Sequence, residues 1–162
     1  MVDIQNLPIV LTGLGLIVAI MYYTLTLRNS TRTRQAQLFM QIYDKFTHPV
    51  YIDAMARFNA KREQVKTIDD YYEWASDPEN MRTRVIMGTF YEGVGVLVKE
   101  NLIEMRMVAE LMTGPIMQFW AMFGPIIDEM RVRDNFPRAL SETEYLYDEL
   151  MKYVKEHPEI QV

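Results

Sequence analysis

From Ile4 to Leu27 the chain runs for twenty-four residues without a charged side chain. A helix rises ~1.5 Å per residue, so the run reaches roughly 36 Å, enough for a hydrocarbon core ~30 Å thick. The run predicts a transmembrane anchor over residues 1–28. A cleaved signal peptide would want a basic leader, a shorter apolar run and a small-x-small cleavage site. Here the leader is MVDIQN, with an acid and no base, and the run closes on MYYTLTLRN.

The flanks predict the direction of crossing. Asp3 is the only charge before the run, whereas Arg28, Arg32 and Arg34 follow it. Lys and Arg beside a span stay on the cytoplasmic side. The expected arrangement is therefore a single-pass protein of the cell membrane, N-terminus outside, with residues 29–162 as a cytoplasmic domain. Tyr22 and Tyr23 fall at the interface, and the three arginines suit lipid headgroups or an acidic partner at the membrane surface. Gly15 and Ala19 form a small-xxx-small pair that lets a second membrane helix approach closely. That helix could belong to another subunit or to another copy of the chain.

A second uncharged stretch, LMTGPIMQFWAMFGPII, covers residues 111–127. Seventeen residues give only about 25 Å of helix, at the lower limit for a span. Gly114-Pro115 and Gly124-Pro125 interrupt it, and Trp120 lies at its centre instead of at an interface. Pro125 removes the helical donor for the Ala121 carbonyl, a loss that lipid does not repair. Crossing would also export Arg131, Arg133 and Arg138. The stretch reads as a kinked helix, or two short ones over 115–123 and 125–133, inside a soluble core.

The remaining pattern is helical throughout. Ala36, Phe39, Met40, Tyr43 and Phe46 recur at helical spacing up to His48-Pro49, in a helix that either continues the anchor or bends at RNSTRTR. Pro49 opens a second helix carrying Ile52, Met55, Ala56 and Phe58. KTIDDYYEWASD reads as a short helix or a surface loop. Ser76-Asp77-Pro78-Glu79 reads as a capping box with Ser76 as the cap, opening a helix that Asn101 ends. Its expected inner face is Val85, Ile86, Thr89, Phe90, Gly93, Val94 and Leu97, with Gly88, Gly93 and Gly95 marking close helix packing. Ser141-Glu142-Thr143-Glu144 reads as a second box, opening a helix with Leu146, Leu150, Tyr153 and Val154 inward. With no strand-type alternation, the expected fold is all-α: one transmembrane helix followed by a cytosolic bundle of four to six helices.

Composition narrows the chemistry. A net charge of −5 and a pI near 5.1 speak against a nucleic-acid partner, which needs a clustered basic face. The absence of cysteine removes disulfides, thiolate metal sites and cysteine nucleophiles. Thirteen methionines suit adaptable packing at helix interfaces. His48 and His157 each precede a proline at a helix end, without a ligand partner at metal spacing. Asp69, Asp70 and Glu73 read as a solvated acidic face. Glu92, flanked by Tyr91 and Gly93, is the acid best placed for burial, with Arg131 as its expected partner. No cofactor and no catalytic group are expected.

The blocks FYEGVGVLVKENLIE and GPIMQFWAMFGPIIDEMR, behind one N-terminal span and a basic juxtamembrane helix, resemble an uncharacterised family of short bacterial and archaeal membrane-anchored helical proteins. In that family an aromatic-Glu-x-x-Gly helix leads through a Trp-containing helix to an arginine, which corresponds here to Phe90 or Tyr91, Glu92, Gly95, Trp120 and Arg131. The resemblance implies fold and topology but no reaction. The expected function is a non-enzymatic accessory or regulatory subunit that binds membrane lipid and a larger membrane protein complex. Its rivals are a small-ligand sensor or enzyme with a pocket near Glu92, Trp120 and Arg131, and a homo-oligomeric scaffold.

Overall fold

The computed structural model describes residues 7–160, and every regular element among them is helical. Helix α1 spans Leu7–Phe46, so the first soluble helix continues the apolar run without a break at RNSTRTR. The Thr12, Thr24, Thr26, Thr31 and Thr33 hydroxyls each donate to the carbonyl four residues back, which satisfies those hydroxyls within the helix. The chain divides into two compact units, one ending at Gln37 and one beginning at Leu38. The apolar run ends well before that division. In the first unit, α1 is long and apolar enough to cross a membrane, and none of that window is buried within the chain.

Six further α-helices build the second unit together with the end of α1: α2 (Pro49–Lys61), α3 (Ile68–Ser76), α4 (Pro78–Lys99), α5 (Met105–Phe123), α6 (Ile127–Arg133) and α7 (Ser141–Glu156). Proline and polar caps delimit them. His48 caps α2, its Nδ1 accepting the Val50 N–H at 3.3 Å, so this histidine opens a helix instead of closing one. The undecided segment around Asp69 is helical because Thr67 and Asp70 form a reciprocal capping box. Its apolar side chains Ile68, Tyr71 and Trp74 then face the core. The cap of α4 is Asp77, not Ser76: Ser76 is the last residue of α3, and Asp77 accepts the Glu79 N–H at 2.9 Å. Asn101, at φ 54°, ends α4. The Asn101 N–H bonds Val98 and the Leu102 N–H bonds Leu97, which is the pairing of a Schellman stop.

Residues 111–127 bury one face in the core and leave Leu111, Met117, Ala121 and Pro125 exposed. Helix α5 passes through Pro115, a 3₁₀ turn occupies Gly124–Ile126, and Ile116, Phe119, Phe123 and Met130 are fully buried. Phe119 forms the centre of an aromatic stack, its ring centroid 4.6 Å from Phe123, 4.9 Å from Tyr91 and 5.5 Å from Phe58. Only α1 among the described helices has the length and composition of a span.

Helix α4 differs most from expectation. It buries Asn80, Thr83, Met87, Gly88, Tyr91, Val94, Gly95 and Val98. Of the expected inner face Val94 is buried, Ile86, Phe90 and Leu97 pack half-buried against the core, and Val85, Thr89 and Gly93 are exposed. Apolar side chains surround most of this helix, so periodicity does not choose a side. The glycines do. A Cβ at Gly95 would lie 2.2 Å from the Glu142 carbonyl oxygen of α7, whereas one at Gly93 meets nothing within 4 Å.

The two glycines therefore separate by substitution. Gly95→Ala should destabilise the protein by about 1–3 kcal/mol, because backbone must move to admit the methyl. Gly93→Ala should be neutral, or stabilise by up to about 1 kcal/mol through helix propensity. Chemical-denaturant unfolding of the two variants measures the difference, and equal midpoints would show that α7 does not lie against Gly95.

Candidate functional site

Two constellations emerge, both built on α4. The first gathers around the start of α7. Leu140 occupies the N-cap position at φ 53° and offers no capping oxygen, so the box expected from Ser141 is not formed. The missing acceptor comes from another helix. Glu92 Oε1 accepts the Thr143 N–H at 2.8 Å and the Thr143 hydroxyl at 2.9 Å. This is the third N–H of the helix, the donor a local cap would satisfy, and a carboxylate here also meets the positive end of the helix dipole.

The expected Glu92–Arg131 pair is thus replaced by two separate attachments to the same helix terminus. Arg131 Nε donates to the Ala139 carbonyl at 3.1 Å, and its Nη2 pairs with Glu144 at 2.6 Å. Lys99 holds the mostly buried Glu142 carboxylate at 2.9 Å. Trp120 packs against Tyr147 with tilted rings and centroids 5.7 Å apart. Glu92, Gly95, Trp120 and Arg131, dispersed over three helices, all meet α7. The three cavities described below and elsewhere on the bundle are lined by other residues than Glu92, Trp120 and Arg131.

The second constellation lies along the face of α4 that was expected to be buried. Val85, Ile86, Thr89, Phe90, Gly93 and Leu97 line an apolar groove of about 770 Å³. The end of α1 contributes Ile42 and Lys45, and the start of α2 contributes His48, Val50 and Tyr51. Side chains of core type are left open to solvent here: Val85 is 51% exposed, Val50 45% and Val96 44%. The Tyr51 and Tyr91 hydroxyls hydrogen-bond each other at 2.6 Å under the groove, and burial pushes both phenols above the ordinary tyrosine range. Phe46, Tyr51 and Phe90 pack as a ring cluster that holds the α1–α2 turn against α4.

The remaining sequence candidates sit on α1. Gly15, Ala19, Tyr22, Tyr23, Arg28, Arg32 and Arg34 are all exposed, and a Cβ at Gly15 would meet nothing within 4 Å. On the acidic face, Asp69 pairs with Arg133 at 2.7 Å and Tyr72 hydrogen-bonds Asp134, whose carboxylate pushes the Tyr72 phenol up to about 12. No group of three His, Asp or Glu side chains among the described residues is arranged to hold a metal ion.

Fold and site define a class: an all-helical protein with one membrane-length apolar helix and a helical domain that leaves an apolar groove open. Residues 9–150 match the family described as Domain of unknown function (DUF4760), and the chain belongs to that family. No curated protein and no solved structure matches it.

Replacing Glu92 by Ala should cost about 1–2 kcal/mol, the usual effect of losing an N-cap. Thermal unfolding reads the loss, and an unchanged midpoint would remove Glu92 from that role. Stability should also fall as pH rises from about 10 towards 12. Tyr51, Tyr72 and Tyr91 hold their protons above the pH at which unfolded phenols release them, so their contribution is intact below pH 10 and lost above it. Phenolate absorbance measured against pH, together with circular dichroism, should show these tyrosines titrating as the helices unfold.

Proposed function

We propose that the protein is a membrane-anchored, non-enzymatic accessory or regulatory subunit of a larger membrane protein complex, with the groove on α4 as its binding site. The groove carries this reading. The nature of the lining is decisive: valine, isoleucine, phenylalanine and leucine side chains form a continuous concave surface that no helix of the described chain covers. Exposed apolar surface of this kind marks interaction sites more often than it marks bare protein surface. Helix α1 supplies the attachment to the cell membrane. Arg28, Arg32 and Arg34 favour a cytoplasmic position for the helical domain through the positive-inside bias. The open Gly15–Ala19 face suits contact with a membrane helix of the complex or with a second copy.

A photoreactive amino acid at Thr89, in the groove, should form adducts in native membranes. The same probe at Asp148, on the exposed side of α7, should form few. Equal yields from the two positions would refute the groove as the binding site. Gly15→Ile should reduce co-purification of the complex without changing the helical content of the protein, and unchanged co-purification would remove the anchor from that contact.

A further inference from the structure

We infer that the groove binds a single-chain amphiphile with an acidic head, of the long-chain fatty acid class, its hydrocarbon along α4 and its carboxylate at Lys45 and His48. The inference rests on the groove being a binding site and gives it a lipid occupant for the state in which no protein of the complex fills it. Size is the first argument. About 770 Å³ falls within the roughly 300–1,000 Å³ typical of small-molecule sites.

Shape is the second. Along α4 the open face runs from Val85 to Leu97, thirteen residues whose twelve rises span roughly 18 Å of helix. Gly93 lowers the floor of this trough, since nothing stands within 4 Å of the place a Cβ would take. The trough is long and apolar, as an extended hydrocarbon chain requires.

Charge is the third argument, and it selects the head group. No carboxylate lines the groove. Its one charged side chain is Lys45, which makes no ion pair within the described chain. His48 lies three residues on, in the α1–α2 turn. Because its Nδ1 accepts the Val50 N–H, the neutral ring carries its proton on Nε2, which remains available as a donor. The Tyr51 hydroxyl is engaged with Tyr91, which leaves Thr89 as the only other polar side chain on the lining. Cation and donor sit together beside an apolar trough, an arrangement that discriminates an acid from the corresponding alcohol.

The test uses the full chain in lipid nanodiscs and a diazirine analogue of palmitic acid, with labelled peptides mapped by mass spectrometry. Labelling should fall on α4 between Val85 and Leu97, and palmitate should compete better than hexadecanol. Gly93→Leu, which fills the trough from a position with open space, should reduce α4 labelling at least tenfold at unchanged helical content. Lys45→Glu, on an exposed side chain, should abolish the preference for palmitate and weaken its competition by about 2- to 5-fold, the range for an exposed ion pair. Labelling confined to α1, or equal competition by acid and alcohol in the unmodified protein, would overturn the inference. Protein adducts at Thr89 in native membranes without palmitate labelling of α4 would overturn the lipid occupant and leave the groove as a protein-binding site. Failure of both experiments would overturn the groove itself.

Discussion

The hydrogen bonds from Thr143 to Glu92 tie the last helix to the middle of the chain, and much of the bundle follows from them. Helix α7 begins at a left-handed Leu140 that provides no cap, so its first turn is completed only when α4 lies alongside. Gly95 permits that approach by leaving room for the Glu142 carbonyl. Lys99 and Arg131 then grip Glu142 and Glu144 on either side of Thr143. A carboxylate at a helix start is favourable in itself; supplied from another helix, it also selects which face of α4 turns towards α7.

That selection decides the fate of the opposite face. Once Tyr91, Gly95 and Val98 are committed to the core, Val85, Thr89, Gly93 and Val96 point away from it. Two consequences follow from one docking geometry: a closed aromatic core around Phe119, and an apolar trough beside the α1–α2 turn. The Tyr51–Tyr91 hydrogen bond joins the two, since Tyr51 belongs to the groove wall and Tyr91 to the core. A ligand in the groove would therefore lie one side chain away from the aromatic core around Phe119.

Helix content, the membrane-length run and the burial of residues 111–127 were legible in the residues themselves. Each depends on local properties: charge-free length, the loss of a donor at proline, and the period of apolar side chains. The start of α2 and the end of α4 were legible to within a residue or two, through Pro49 and Asn101. The starts of α4 and α7 were legible as closely, but the groups that cap them were not. Asp77 displaced Ser76 as a cap by one position, and the cap of α7 came from fifty-one residues away, beyond the reach of any local signature. The residues behind the family resemblance were readable as a set, but their common role was not, because Glu92, Gly95, Trp120 and Arg131 share only their contact with α7.

By itself, then, the amino-acid order determined an all-helical chain with one helix fit to cross a membrane and a second apolar stretch too short and too broken to do so. Backbone hydrogen bonding and hydrophobic length are short-range properties, and they are written in consecutive residues. Tertiary structure alone decided which side of α4 is core and which is groove. On a helix apolar around most of its circumference, periodicity leaves several faces equivalent. A close backbone contact at Gly95 and a single carboxylate at Glu92 break that equivalence, and both act only once α7 is in place.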